Sequence, residues 1–267
     1  MRLAPYALLL LISVPTARAQ TPSRSQLALT ILGGAISGHS LWEVERQPVA
    51  VPGVTGDYDT LHVVRAISSS VVVGAAATYF FSPHVGMHAE ISYMGLPYDD
   101  SCTDLHASAS DGGRIQAACD DIASEPGSGG AISLFVGATL RAAATRGFSP
   151  YLRGNIGVVS MPHSYVEMIG NYLTSVGPQP VVVIRDPGPR SGAPLFGLAA
   201  GFTEPLGKAG GYQVRFELRD AITSFELVTG PADPTSLLAP TDIKTYHHLS
   251  LTIGLDVVLE KARGRRY

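Results

Sequence analysis

Charged residues are scarce in this sequence. They make up 15% of its 267 residues, while 45% are hydrophobic, and a typical soluble domain carries about 25% charged residues. The formal net charge of −3 gives no reason to expect a nucleic-acid partner. The interior of the chain also lacks a run of about 18 apolar residues, which excludes a membrane-spanning helix there. Low charge without such a helix favours a membrane β-barrel, in which half of each strand faces lipid.

Motifs for cofactors and metals are missing as well. The sequence contains no HExxH, no CxxC pair and no glycine-rich phosphate loop, and its eight histidines are scattered. Aspartates cluster between residues 99 and 121, but their spacing matches no EF-hand, which favours a solvated loop over a Ca²⁺ site. We therefore expect no cofactor and no metal site.

Residues 1–19 have the features of a secretory signal peptide. Arg2 supplies a positive charge, residues 3–14 form a short apolar core, and Ala17-Arg18-Ala19 fits an A-x-A cleavage site. A short membrane-anchoring helix is the alternative. A leader at residues 20–26 follows. In an exported chain the two cysteines, Cys102 and Cys119, predict one disulfide, which closes a loop of about 17 residues and stabilises the fold by about 3 kcal/mol.

The clearest strand pattern lies at residues 248–259. Every second residue is aliphatic, from Leu249 to Leu259, and the residues between them are mostly small or polar. A period of two places the aliphatic residues on one face of a β-strand and the others on the opposite face. The stretch has about a dozen residues, which is long enough for a tilted strand to cross a bilayer. A soluble strand with one buried face would alternate in the same way.

Seven more stretches alternate similarly, and their spacing predicts the fold class. They lie at residues 27–38, 67–80, 85–98, 130–144, 150–161, 191–204 and 212–225. The connections between the eight strands run long, short, long, short, long, short, long. Even strand numbers, short periplasmic turns and long extracellular loops are typical of outer-membrane barrels. We expect an all-β, eight-stranded antiparallel up-and-down transmembrane β-barrel over residues 27–259, followed by a basic C-terminal tail at residues 260–267.

Strand parity predicts which side chains fill the interior. An eight-stranded barrel is just wide enough for side chains to fill it. We expect an inward-facing ion-pair network in which three acidic residues meet four arginines: His88, Glu90, Arg141, Arg153, Arg215, Glu217, Arg219 and Asp256. Unpaired charges there would be very costly, so this network would act as a plug. A gated pore or proton path is the alternative.

Aromatic residues at the strand ends predict two interfacial girdles. One side would carry Tyr79, Phe80, Phe81, Phe148, Tyr151 and Tyr212, and the other Tyr93, Tyr98, Phe225 and Tyr246.

The whole pattern resembles the eight-stranded outer-membrane β-barrel family around the OmpA transmembrane domain. The resemblance rests on the signal peptide, the turn at residues 79–83, the strand opening at residues 149–154 and the final alternating strand. It implies location in the outer membrane, contact with outer-membrane lipid, assembly by the barrel-insertion machinery, and an unknown extracellular or periplasmic partner. Members usually end on an aromatic residue that closes the last strand, whereas here a basic segment separates Leu259 from Tyr267.

The sequence also leaves other functions open. His248-Leu249-Ser250 resembles the strand-borne His-x-Ser pair of the outer-membrane lipid A 3-O-deacylases, in which the histidine is the general base and the serine the nucleophile. The spacing is common, and parity turns both residues toward the lumen, so we expect a non-enzymatic protein with a structural or surface-interaction role. A narrow channel and a soluble lipocalin-like carrier are further alternatives.

Overall fold

The structure is a computed structural model that describes residues 25–124, 126–142, 147–162, 164–186, 188, 192–207 and 211–260. The predicted signal peptide, most of the leader and residues 261–267 of the tail lie outside them. In the described residues the chain forms thirteen strands and one helix: β1 (Gln26–Ile36), β2 (His39–Ala50), β3 (Tyr58–Ile67), β4 (Ser70–Phe80), β5 (Val85–Gly95), β6 (Tyr98–His106), α1 (Arg114–Ser124), β7 (Gly130–Arg141), β8 (Ser149–Ser160), β9 (Met168–Thr174), β10 (Gly177–Ile184), β11 (Ala193–Leu206), β12 (Tyr212–Val228) and β13 (Thr241–Glu260). No helix among them is long and apolar enough to cross a membrane.

Eight of the strands form a closed antiparallel barrel, which confirms the predicted fold class. The ring runs β1, β13, β12, β11, β8, β7, β5 and β4. It closes through β1, because Leu27 pairs with Leu259 of β13 on one side and with Tyr79 of β4 on the other. Three connections are short, and they share one end of the barrel, the short-turn end. The four long connections share the opposite end, the loop end.

The apolar residues of each barrel strand face outward. On β13, Leu251 and Ile253 are 61% and 55% exposed, whereas Thr252 between them is 3% exposed. The same alternation recurs on the other barrel strands. An aliphatic face of this size is stable only against lipid, while the inward residues fill the interior.

The long connections are more ordered than the sequence suggested. Residues 39–66, 99–129 and 162–190 were expected to be loops, but they contain β2, β3, β6, α1, β9 and β10. We call these six elements the cap. The fourth loop is shorter than expected, because β12 and β13 stay paired as far as Val228 and Thr241.

The cap sheet continues the barrel wall outward. β3 pairs with β2 and β6. Along the chain, β2 follows β1, β3 precedes β4, and β6 follows β5. The chain passes from β1 into β2 at Gly38, where a Cβ atom would lie 2.2 Å from the carbonyl oxygen of Ile67. Any other residue there would collide with the neighbouring backbone, so this close approach requires glycine.

A hydrophobic core holds the cap together and continues into the barrel. The indole nitrogen of Trp42 donates a hydrogen bond to the carbonyl oxygen of Tyr165 at 2.8 Å. Side chains from the sheet, the helix and the β9–β10 hairpin are buried around it: Val44, Leu61, Val63, Ile115, Cys119, Met168 and Ile184. The same cluster includes inward residues at the loop end of the barrel, so cap and barrel share one interior.

The aromatic girdles are only partly as predicted. Tyr79, Phe81, Phe148 and Tyr212 lie exposed near the short-turn end, and Tyr93 is exposed toward the loop end. The other residues depart from the prediction for two reasons. Phe80, Tyr151 and Phe225 have the opposite strand parity and are buried inside. Tyr98 belongs to the cap sheet, and Tyr246 contacts the cap by donating a hydrogen bond to the carbonyl oxygen of Leu41.

Candidate functional site in the barrel interior

The candidate site is the charged layer inside the barrel. Seven of the eight residues predicted to form it are between 1% and 4% exposed: His88, Glu90, Arg153, Arg215, Glu217, Arg219 and Asp256. They project inward because alternate residues of a strand share a face. Ionised groups withdrawn from water to this extent require partners, so the contacts of each one matter.

Arg219 lies at the centre of the layer. Its two terminal nitrogens donate to the two carboxylate oxygens of Glu90 at 2.5 and 2.8 Å. Its Nε and Nη2 also donate to Oε1 of Glu217, at 3.1 and 2.7 Å. One guanidinium therefore holds two carboxylates, and the planar fork of arginine is suited to this geometry.

Glu217 joins a second arginine to the same group. Its Oε2 lies 2.9 Å from Nη1 of Arg153 and accepts a hydrogen bond from the Tyr151 hydroxyl at 2.7 Å. Arg153 also lies 3.9 Å from the Glu90 carboxylate. Tyr151 was assigned to a girdle from the sequence, although its strand parity, shared with Arg153, already placed it inside.

A separate pair lies closer to the short-turn end. Nη2 of Arg215 donates to Oδ2 of Asp256 at 2.9 Å, and the hydroxyl of Thr30 donates to Oδ1 of the same carboxylate at 2.8 Å. Thr30 escaped the sequence analysis because nothing distinguishes it from other inward threonines until β1 and β13 are paired.

His88 completes the layer. Its Nε2 lies 3.2 Å from Oε2 of Glu90, and its Nδ1 lies 3.0 Å from the hydroxyl of Thr78. Both ring nitrogens thus have partners, which holds the imidazole against the central carboxylate.

Arg141 differs from the other arginines. Its Nε donates to the carbonyl oxygen of Pro83 at 2.6 Å, and its Nη1 donates to the side-chain oxygen of Gln26 at 2.9 Å. The guanidinium carbon lies 3.8 Å from the ring centroid of Phe80. Among the described residues Arg141 contacts no carboxylate, because the last residue of β7 lies at the barrel rim, beyond the layer of acidic residues.

Without Arg141 the layer is balanced in charge. Three carboxylates face three guanidinium groups, so the interior requires no counter-ion. On the loop side of this layer the buried inward residues include the apolar side chains of Val72, Met94, Ala131, Val159, Leu195 and Ala221, together with the polar side chains of Ser133, His248 and Ser250. Toward the short-turn end, a cavity bordered by Tyr151 and Arg215 has a volume of about 20 Å³, which leaves room for about one water molecule.

His248 and Ser250 lie in the interior, on the loop side of the charged layer. They are 0% and 5% exposed. In the part of the chain that the structure describes, neither ring nitrogen of His248 has a hydrogen-bond partner. Its ring packs at 4.9 Å from that of His39 and 5.4 Å from that of Phe225, measured between centroids. The imidazole of His248 and the hydroxyl of Ser250 therefore form no hydrogen bond with each other in this structure.

The predicted disulfide is confirmed. Cys102 of β6 and Cys119 of α1 are bonded, with their Cα atoms 5.2 Å apart. The bond ties the helix to the edge strand of the cap sheet. Within the described ranges, no group of three or more His, Cys, Asp or Glu side chains is arranged to hold a metal ion.

Solved structures with a similar fold are outer-membrane barrels. The crystal structure of the outer membrane protein OprG from Pseudomonas aeruginosa aligns with a TM-score of 0.50 and 9% identity over 90% of this chain and 98% of that chain. The solid-state NMR structure of AlkL in lipid bilayers aligns with a TM-score of 0.44 and 11% identity, over 94% and 97% of the two chains. The N-terminal barrel domain of P. aeruginosa OprF aligns with a TM-score of 0.37 and 7% identity, over 89% and 99%.

No protein-family model and no curated protein sequence matches this chain. At 9% identity the likeness to OprG concerns the fold. That fold agrees with the closed ring of eight strands and with the exposed aliphatic face. The chain therefore folds as an eight-stranded outer-membrane β-barrel.

Proposed function

We propose that this protein is an integral outer-membrane protein with a structural or surface-interaction role, a sealed lumen and an exposed cap. The observation that carries the proposal is the pair formed by Arg219 and Glu90, which spans the interior between β12 and β5. Together with the buried side chains on its loop side, this pair occupies the space through which a solute would pass. A barrel closed in this way serves as a membrane anchor for its outer surface.

The predicted signal peptide and the arrangement of the connections support location in the outer membrane. Residues 1–19 would direct export, and the barrel-insertion machinery would then assemble the strands in outer-membrane lipid. The four long connections on one end of the barrel would lie outside the cell, with the termini in the periplasm.

The cap supplies the surface for an interaction. It is packed around a hydrophobic core and contains a disulfide, so it presents a fixed shape rather than a set of loose loops. Leu173 and Val176 at the tip of the β9–β10 hairpin are 83% and 84% exposed. Contiguous exposed apolar patches mark contact sites for other macromolecules, and these two side chains would form part of one at the hairpin tip.

Conductance in planar lipid bilayers tests whether the lumen is sealed. We expect the purified protein to insert without producing stable, large conductance steps, because the ion-paired side chains leave no continuous path. A known porin in the same bilayer controls for the assay, and a heat-dependent shift in gel mobility verifies that the added protein is folded. Stable large steps from the folded protein would overturn the proposal in favour of a channel.

Lipid analysis tests the enzymatic alternative. Overproduction of the protein should leave the acyl chains of lipid A unchanged, since His248 and Ser250 are buried in the interior. Loss of lipid A acyl chains, abolished by Ser250→Ala, would instead identify a deacylase. Ser133→Ala is a matched control, because Ser133 is another buried, inward-facing serine.

A further inference from the structure

Four aspartates come together on the cap from segments far apart in sequence. Asp57 lies just before β3 and Asp59 within it, Asp104 lies in β6, and Asp111 precedes α1. Ser108 lies between β6 and α1 and links that segment to the start of β3. Its backbone N–H donates to Asp59 at 2.7 Å, and its hydroxyl donates to Asp57. The proposed function assigns no role to this cluster.

Asp59 is the residue that requires explanation. Its side chain is fully buried, with an exposed fraction of 0%. Oδ1 accepts the hydrogen bond from Ser108, but Oδ2 has no hydrogen-bond partner among the residues that the structure describes. A buried carboxylate oxygen without a partner is costly and therefore uncommon in native proteins.

The surrounding charges make this cost larger. The carboxylates of Asp57, Asp104 and Asp111 lie close enough for their charges to act on Asp59. Arg114 lies nearby, but three of its nitrogens donate to the carbonyl oxygens of Asp111, Pro52 and Ser110 at 2.6–2.7 Å. Its guanidinium comes no closer than 4.0 Å to the Asp111 carboxylate. The cluster therefore has more negative charge than this arginine can balance.

Backbone N–H groups of Ser108 and Tyr58 donate to Oδ1 of Asp59 and of Asp57, and the side-chain atoms next to Oδ2 of Asp57 are hydroxyl oxygens. The hydroxyls of Ser108 and Ser110 lie 2.8 Å apart, and both contact Oδ2 of Asp57. Carboxylate and hydroxyl oxygens without nitrogen or sulfur are donors for hard cations, and a flexible set of this kind suits Ca²⁺ better than the strictly octahedral Mg²⁺.

We propose that Asp57 and Asp59, with the hydroxyls of Ser108 and Ser110, bind one Ca²⁺ ion that connects the β2–β3 turn to the segment before α1. Two carboxylates act as ligands, and Asp104 and Asp111 add negative charge nearby. A site with so few charged ligands is weak, and we expect a dissociation constant of roughly 10⁻⁴–10⁻³ M, as in extracellular modules. The ligands come from two separate segments, so no sequence spacing could have identified the site.

Calorimetric titration tests the proposal directly. Calcium chloride is titrated into the full-length, chelator-treated protein in a neutral, phosphate-free detergent, so that no lipid phosphate binds the ion. We expect one saturable site in the wild type and weaker binding of magnesium. Asp57→Asn and Asp59→Asn should each weaken Ca²⁺ binding by about tenfold or more.

Asp120→Asn is the matched control. Asp120 is an exposed aspartate on α1 whose carboxylate accepts a hydrogen bond from Gln116, so the change removes the same charge outside the cluster and should leave the dissociation constant unchanged. Asp57 is only partly buried, which allows Asp57→Asn to fold even if Asp59→Asn does not. The proposal is overturned if the wild type shows no saturable binding up to roughly 10 mM Ca²⁺, or if Asp57→Asn binds as the wild type does.

Discussion

Arg219 and Glu90 face each other across the full width of the barrel. Their strands, β12 and β5, are four positions apart in the ring of eight, which is as far apart as two strands can be. The guanidinium nevertheless donates to both carboxylate oxygens, at 2.5 and 2.8 Å. The pair therefore connects opposite walls through the interior, in addition to the hydrogen bonds between adjacent strands.

Removing one member of this pair should destabilise the barrel strongly. Arg219→Met leaves the buried carboxylate of Glu90 without its main partner, and such a change costs about 3–5 kcal/mol. Urea-induced unfolding of the protein in lipid vesicles measures the loss. Arg141→Met is the control, because Arg141 bonds to uncharged oxygens at the rim and should cost about 1 kcal/mol. Equal costs for the two variants would show that the cross-lumen pair has no special importance.

A double variant separates the cost of the unpaired charge from that of the lost contact. Arg219→Met combined with Glu90→Gln removes both charges together and keeps the shapes similar. We expect it to be more stable than Arg219→Met alone, because an uncharged amide is less costly to bury than a carboxylate. A double variant that is less stable than the single one would contradict this explanation.

The disulfide should stabilise the cap and leave the barrel unaffected. Cys102 and Cys119 are 17 residues apart, and a loop of that size predicts a loss of about 3 kcal/mol on reduction. Trp42 is the single tryptophan of the chain and lies buried in the cap, so its emission during denaturation reports on the unfolding of the cap. The heat-dependent gel shift of the barrel should persist in reductant. Loss of this gel shift in reductant would mean that barrel and cap unfold together.

Arg65 should be irreplaceable by lysine in the cap. Its guanidinium forms two hydrogen bonds with Asp100 at 2.7 and 2.6 Å, donates to the carbonyl oxygen of Glu167, and lies 4.3 Å from the ring centroid of Tyr98. A lysine cannot form the paired contact, and Arg65→Lys should cost about 1.5–3 kcal/mol. The denaturation midpoint of Trp42 emission measures it. Arg46→Lys, at an exposed position of β2, should be neutral, and an equally neutral Arg65→Lys would refute the prediction.

The stability of the cap should depend on pH through Asp59. The folded protein raises the pKa of this carboxyl above its ordinary value of 3.8 by burial and by the neighbouring aspartates. The Asp59 carboxyl therefore stabilises the folded state by its full amount below about pH 3.8. This contribution is lost as the pH rises through the raised pKa. In chelator, the Trp42 midpoint of the wild type should fall relative to that of Asp59→Asn over this range. Parallel pH profiles for the two proteins would exclude the effect.

The pKa of Asp57 in the same cluster shifts in the opposite direction, and Asp57 is common to the two proteins that are compared. Hydrogen bonds from Ser108 and Ser110 lower the pKa of Asp57, so its contribution is present above the ordinary value and lost as the pH falls. Since Asp57 is present in both proteins, the difference between the wild type and Asp59→Asn reports the contribution of Asp59 together with its interaction with Asp57.

The alternation of residues along each strand determined the barrel. A period of two is a local property of the chain, and in the eight long strands it separates an aliphatic face from a polar one. Leu251 and Ile253 are exposed and Thr252 is buried, as the pattern at residues 248–259 indicated. The same parity places Glu90, Arg153 and Arg219 on the inner face, because the direction of a side chain in a strand follows from its position alone.

Only the tertiary structure decided which of these residues meet. Arg219 contacts Glu90 because the ring brings β12 opposite β5, whereas Arg141, with the same parity, lies at the rim and bonds to Pro83 and Gln26. The cap was hidden for a related reason. Its strands pair with partners far along the chain, as Val63 does with Cys102, and its helix packs on a hairpin from another connection. Such contacts depend on the closed barrel bringing the ends of the strands together, which no local pattern in the sequence records.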